Sequence, residues 1–342
     1  MAETAAGRLA NLLAGTRRVA LVGLAKNTGK TETLAAILRE LGQRGTPVGV
    51  TSIGRDGEAH DVIDARIEKP RIVLPAGSLV ASTDALVRAS GLAHELLKRT
   101  GVRTPLGEVV IARLAENGAV EVAGPSTAED LGGVSDAMLA YGAEQILIDG
   151  SIDRRAASSP AVADGLVIAT GAVLGEEIEA VVAATRDAVE LVRLPVADAG
   201  PPPDASNDGN MESTLERNLV LGGEPAEIAA LLLEHPSAST FHVEGALSER
   251  FLEGLLAART ARAGRELRIV VGDPTKVFLT HHGVGWYRRQ GVAIEVRGTI
   301  ALRAITVNPV APRSHRFDSR ELRELIEAAV ADVPVLDVLD PN

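Results

Sequence analysis

The sequence predicts an α/β protein: a parallel sheet with crossover helices and hairpin insertions, followed by a second, smaller α/β domain. Three observations carry this. Short apolar runs that read as buried strands alternate with helical patterns, as in parallel sheets covered on both faces. A polar, glycine-containing turn joins the first such run directly to the first long helix. Finally, the segment ADAGPPPDASNDGNM (197–211) holds three consecutive prolines and little that can be buried, so it divides the chain. A length of 342 residues also exceeds what one core usually organises. The expected organisation is a nucleotide-binding domain over 1–196, a linker or mobile loop over 197–215, and a smaller α/β domain over 216–342.

In chain order, MAETAAGRLANLLAG reads as a short amphipathic helix without the basic start and apolar core of a signal peptide. RRVALVG (17–23) is a strand ending in glycine, 31–41 a helix, and PVGVTS (47–52) a second buried strand. Turns around Pro75-Ala76-Gly77 and Glu116-Asn117-Gly118 predict two hairpins, 71–81 and 109–122, inserted on the parallel core. Helices are expected over 84–99, 127–141 and 176–191, with strands QILID (145–149) and GLVIAT (165–170) between them. Beyond the linker, strands are expected at 218–221, 240–243, 267–271, 292–296 and 301–307, with helices at 225–233 and 248–262.

The residues that carry chemistry begin at the first turn, Gly23-Leu24-Ala25-Lys26-Asn27-Thr28-Gly29-Lys30-Thr31. A phosphate chain needs successive backbone N–H donors converging on one point, and a loop feeding a helix N-terminus supplies them with the favourable end of the helix dipole. In that arrangement Lys30 reaches the β- and γ-phosphates and Thr31 places its hydroxyl on Mg²⁺. Lys26, Asn27, Thr28 and Gly29 complete the cradle, Lys26 as a second positive charge. The core is therefore expected to be P-loop NTPase-like. The spacing is unusual: five residues separate Gly23 from Gly29, and Leu24 stands where a glycine is normal.

Such a site needs a carboxylate at the end of a neighbouring strand to hold the magnesium shell, and Asp149 meets that need. The loop TSIGRDGE (51–58) follows the next strand, where Asp56 or Glu58 would hold the magnesium shell or orient an attacking water, with Arg55 offsetting developing charge. Arg154 and Arg155 follow Asp149 closely and read more simply as solvated charges. No Asn-Lys-x-Asp guanine-reading element follows a strand, so ATP is the default base and GTP stays open. His281-His282 is not read as a metal site, because adjacent histidines face different ways in regular structure.

Composition narrows the partners. A net charge of −11 and an aromatic share of 2% argue against nucleic acid, which asks for clustered cations and stacking platforms. The absence of cysteine removes disulfides, thiol nucleophiles and cysteine-bound metals, and fits a reducing cytoplasm. No apolar run approaches the ~18–20 residues of a membrane-spanning helix, so no membrane partner is expected. A homo-oligomer is compatible with all of this.

GLAKNTGKTET, TSIGRDGE, KPRIVLPAGSLVAST, ILIDGSIDRRAASSP and AITVNPVAP together resemble the P-loop subunit of the lysine aminomutase reactivase. The likeness runs through most of the chain. It implies an ATPase that restores an adenosylcobalamin- and pyridoxal-phosphate-dependent aminomutase after cobalamin damage, with the mutase and a second reactivase subunit as partners. It also implies nucleotide-site roles for Lys26, Asn27, Gly29, Lys30, Thr31, Asp56, Glu58 and Asp149. Two other classes share the phosphate loop: kinases or ligases related to dethiobiotin and cobyrinate synthetases, and a GTP-binding accessory protein similar to that of molybdopterin-guanine dinucleotide biosynthesis.

Overall fold

The computed structural model describes residues 3–53, 72–151, 158–198, 212–215, 228, 239–259, 266–312 and 314–339. The chain forms two compact units, one built from 1–185 and 300–342 and the other from 186–299.

The first unit is α/β, organised by a nine-stranded mixed sheet in the order β17-β16-β9-β1-β8-β2-β4-β6-β5. Helix α1 (Ala5–Leu12) opens the chain, its first turn closed by the Thr4 hydroxyl accepting from the Gly7 N–H at 3.0 Å. Strands β1 (Arg18–Gly23), β2 (Val48–Ser52), β8 (Gln145–Ser151) and β9 (Gly165–Gly171) are parallel to their neighbours. β2 and β9 are buried at every position, which is why they read as unbroken apolar runs rather than alternating ones. Helix α2 (Lys30–Arg44) lies between β1 and β2 and stops at Gly45, whose φ of 69° closes the helix in the left-handed conformation. Helices α4 (Ala128–Ala140) and α5 (Ile178–Val192) fall within two residues of their expected bounds, and the unit boundary lies within α5.

The hairpins differ from expectation in an informative way. Both expected turns form, but their arms exchange partners. β3 (Ile72–Leu74) pairs antiparallel with β7 (Gly118–Val120), while β4 (Leu79–Thr83) pairs with β6 (Gly107–Leu114). The two turns are knit together: the Asn117 carboxamide accepts from the Ala76 N–H at 2.7 Å, and the Gly77 N–H donates to the Leu114 carbonyl at 2.8 Å. The helix expected over 84–99 is also cut short. Helix α3 (Asp84–Ala89) ends near Gly91, where φ is 71°, and His94–Thr104 becomes β5, the antiparallel edge partner of β6.

A second correction concerns the C-terminus, expected to belong wholly to the smaller domain. Strand β16 (Ala301–Asn308) pairs in parallel with β9 and with β17 (Val335–Leu336), returning the chain to the first sheet. The run Ala304–Val307 is fully buried there, and a buried run of that kind looks the same in sequence whichever sheet it completes. Helix α8 (Ser319–Val330), capped by Asp318 accepting from the Glu321 N–H, lies between these two strands in the chain.

The second unit holds a four-stranded parallel sheet in the order β10-β11-β13-β15. β11 (Thr240–Val243), β13 (Leu267–Val271) and β15 (Val292–Val296) fall as expected, while β10 (Glu212–Leu215) lies within the stretch read as linker. Helices α6 (Glu249–Arg259) and α7 (Val284–Arg289) and the short parallel pair β12 (Leu247–Ser248) and β14 (Val277–Phe278) complete it. Its core gathers Phe241, Phe251, Leu255, Ile269, Ile294 and Tyr287. The strand expected at 218–221 and most of the helix expected over 225–233 lie outside the described residues, as do 199–211 of the linker. Among the described residues no helix is long and apolar enough to cross a membrane.

Candidate functional site

The carboxyl ends of β1, β8, β9 and β16 meet beside the loop Gly23–Thr31. Chain order makes this a point of topological reversal. The connection leaving β1 runs toward β2 on one side, whereas that leaving β9 runs toward β16 on the other, so neighbouring strands send their loops apart. Parallel sheets bind ligands at such reversals.

The loop departs from the usual spacing for a visible reason. Leu24 donates its N–H to the Ala169 carbonyl at 2.9 Å, which prolongs the pairing of β1 with β9 by one residue and delays the turn. The chain then reverses through two left-handed positions, Asn27 at φ 66° and Gly29 at φ 85°. The Thr28 hydroxyl braces the turn by donating to the Ala25 carbonyl at 3.1 Å. Gly29 precedes α2 without any side-chain hydrogen bond to the helix, unlike Thr4, Thr127 and Asp318 ahead of α1, α4 and α8. The first N–H groups of α2 are thus left without a capping side chain, at the positive end of the helix dipole.

Lys30 projects from that first turn to form an ion pair with Asp149 of β8. Both side chains are about three-quarters buried. Register sets the meeting: Asp149 lies level with Leu21 of β1 and Ser52 of β2. Ser52 fixes the far side of this end of the sheet, accepting from the Gly124 N–H at 3.0 Å and donating to the Val122 carbonyl.

Among the residues named from sequence, the structure brings Lys30 and Asp149 together and sets Lys26, Asn27 and Thr31 on the exposed rim, with Thr28 buried beneath. Asp56, Glu58 and Arg55, with Arg154 and Arg155, lie outside the described residues. Asn308 lies in the segment AITVNPVAP, and sequence reasoning assigned it no role. It ends β16 and donates from Nδ2 to the Asn27 carbonyl at 2.9 Å; its strand-terminal position and its place in AITVNPVAP were the available signals. Deeper along the same helix, the Thr33 hydroxyl meets the Thr306 hydroxyl at 2.8 Å and donates to the Gly29 carbonyl at 3.1 Å.

In the second unit, Glu249, Glu253 and His281 place ligand atoms within 4.8 Å of one another, the spacing of a metal centre. The hydrogen bonds argue for a structural role instead. Oε2 of Glu249 accepts from the Thr280 N–H and hydroxyl, both at 2.5 Å, and from the His281 N–H at 2.8 Å; Oε1 accepts from the His282 N–H at 2.9 Å and the Tyr287 hydroxyl at 3.0 Å. Five donors on two oxygens fill the roughly four lone-pair sites of a carboxylate and leave none for a cation. Burial alone would push the Glu249 carboxyl up, but the Thr280 hydroxyl and the N–H groups of 280–282 outweigh it and bring it from 4.5 to about 2. Burial, then the hydrogen bond to Glu249 and its charge, raises the Tyr287 phenol. The two histidines diverge: His281 turns toward Glu249, while His282 stacks on Trp286 at 3.8 Å.

Comparison of the chain with protein-family models, with curated proteins and with solved structures returns no match.

Proposed function

We propose that this chain is a P-loop NTPase that binds a magnesium–nucleoside triphosphate on Gly23–Thr31 and couples its hydrolysis to work on a protein client. One observation carries the reading. A lysine in the first turn of an uncapped helix faces a carboxylate from the adjacent parallel strand, although the two stand 119 residues apart in sequence. Phosphoryl transfer needs that pair at that place: a cation for the β- and γ-phosphates and an acid for the magnesium shell.

The donor set fits the ligand. The N–H groups of α2 and the Lys30 ammonium are positive and convergent, while the Thr31 hydroxyl and Asp149 carboxylate are hard oxygen donors of the kind magnesium prefers. Bound magnesium neutralises charge building on the phosphates. Lys30 would exchange Asp149 for phosphate on nucleotide binding, freeing the carboxylate to serve the magnesium shell. In hydrolysis a water oxygen bonds to the γ-phosphorus, the bridging β–γ oxygen leaves with the diphosphate, and the water proton passes to solvent or to a base. Asp56 and Glu58 are the proposed bases, and ATP is the proposed nucleotide.

The resemblance to the aminomutase reactivase supplies the client: an adenosylcobalamin-dependent aminomutase, gripped and released as nucleotide is bound and hydrolysed. Titration of the purified protein with ATP and with GTP, each with and without Mg²⁺, tests the first half. Saturable magnesium-dependent binding is expected, and absence of binding to either nucleotide would overturn the assignment. Hydrolysis measured with and without an aminomutase tests the second half. Stimulation by the mutase is expected, whereas turnover that requires a small acceptor would move the chain to the kinase and ligase class. Binding of GTP alone would favour a cofactor-biosynthesis accessory protein.

A further inference from the structure

Asn308 is joined to the phosphate loop more closely than its position at a strand end requires. Its Nδ2 donates to the Asn27 carbonyl at 2.9 Å, and its Oδ1 accepts from the Val310 N–H at 3.1 Å. Both ends of the carboxamide are therefore committed within the protein, and their opposite demands fix which end faces the loop. The surrounding backbone is shaped to admit it. A Cβ at Gly29 would stand 3.0 Å from the Asn308 Cβ, and a Cβ at Gly171 would stand 2.3 Å from the Asn308 carbonyl oxygen. At Gly171 only glycine leaves room for the strand end, whereas at Gly29 a side chain would press on Asn308 by a few tenths of an ångström and would also be strained at φ 85°.

The bond lands where the loop most needs support. Asn27 is the non-glycine residue of the loop in the left-handed conformation, which side chains other than asparagine and aspartate rarely adopt. A trans peptide also points its C=O and N–H in opposite directions, so holding the Asn27 carbonyl fixes where the Thr28 N–H points. That N–H belongs to the set expected to receive phosphate. The Thr33–Thr306 hydroxyl contact adds a second tie between β16 and α2, which keeps the strand end and the loop in register.

We infer that Asn308 is a positioning residue that holds the phosphate loop in its binding conformation before nucleotide arrives, linking the exit of β16 to nucleotide affinity. The inference rests on the phosphate-binding reading of Gly23–Thr31. Behind Asn308 the chain folds into a small hairpin, with Val310 bridging Arg316 and the Phe317 N–H donating to the Pro309 carbonyl at 3.0 Å. Any shift of that hairpin is transmitted through the Val310 N–H to the same carboxamide.

Two variants separate the bond from the packing. Asn308→Asp keeps the shape and the acceptor for Val310 but loses the donor to Asn27; Asn308→Ala loses both. Amide hydrogen exchange of the peptide 24–31 in nucleotide-free protein is read beside Mg-ATP affinity. Faster exchange in 24–31 is expected in both variants, with exchange over 145–151 unchanged. Affinity is expected to fall about fivefold in Asn308→Ala, the effect of one ordinary hydrogen bond. It is expected to fall further in Asn308→Asp, where a carboxylate faces both the Asn27 carbonyl and the phosphates, and that extra loss is expected to shrink at high salt. Unchanged exchange in 24–31 in both variants would overturn the inference, as would loosening confined to 301–308. Wild-type protein that binds no nucleotide would refute the phosphate-binding reading instead, while exchange in 24–31 still decides whether Asn308 holds the loop.

Discussion

Replacing Lys30 by alanine is expected to weaken Mg-ATP binding by at least about 100-fold. The ammonium is the one charged donor that the described loop turns inward, and hydrogen bonds to charged groups contribute about 1.5–3 kcal/mol each. On the proposed reading the variant would lose two such bonds to phosphate and would also leave Asp149 facing the phosphates without its counter-charge. Folding is not expected to suffer, because the pair lies at strand ends and the core of the unit is built from Val19, Leu21, Ile37, Leu147 and Val167. Calorimetric titration of a variant with an unchanged thermal midpoint checks this; affinity within threefold of wild type would remove Lys30 from the site.

Asp149→Asn is expected to act in the opposite sense when magnesium is absent. On the proposed reading the wild-type carboxylate would compete with phosphate for Lys30, so neutralising it is expected to raise affinity for metal-free ATP while abolishing any gain from Mg²⁺. Comparing titrations with Mg²⁺ and with a chelator reads both effects. A variant that keeps the full magnesium response would exclude Asp149 from the metal shell.

The second large effect is expected at Glu249, and it concerns stability. Its carboxyl lies at about 2 in the folded unit against an ordinary 4.5, so the folded state favours the ionised form. That stabilisation is complete above about pH 4.5 and is lost as pH falls through about 2. At 1.36 kcal/mol per unit it is worth about 3 kcal/mol. Glu249→Gln keeps the shape but sets an amide among five donors. It is expected to destabilise the second unit by about 3 kcal/mol at neutral pH, and the difference from wild type should vanish near pH 2. Trp286 is the sole tryptophan and meets Tyr287 edge-on, and Tyr287 donates to Glu249, so its fluorescence during urea unfolding reports on this unit. A difference that does not change with pH would show that Glu249 acts through packing alone.

What was legible in the sequence was local. The β1–loop–α2 segment could be read because strand, turn and helix are consecutive, and Asp149 because one acid directly ends one apolar run. The turns at Gly77 and Asn117 could be read from their residues, but not the exchange of their arms, since alternation states that a strand has two faces and not which strand lies beside it. The start of β5 was hidden because Leu86, Ala93 and Leu97 keep a helix-like spacing across Gly91, whose left-handed φ of 71° separates α3 from the strand. The roles of Asn308 and Glu249 were hidden for the same reason at longer range. Each takes its meaning from backbone groups far along the chain, and a carboxamide or carboxylate in sequence does not reveal which N–H or carbonyl it will meet.

The return of β16 to the first sheet has a consequence for how the protein is made. Residues 186–299 must leave the ribosome between β9 and the strand that covers its edge. At ~5–20 residues per second that interval lasts on the order of ten seconds. During it the inserted unit is free to fold, while β9 presents an unpaired edge and Asn27 has no Asn308 to hold its carbonyl. A nascent or stalled chain therefore carries Lys30 and Asp149 without a finished loop between them. On the proposed reading, the loop would gain the hold of Asn308 on its carbonyl only when β16 docks beside β9, so full nucleotide affinity would follow that docking rather than the folding of β1 and α2.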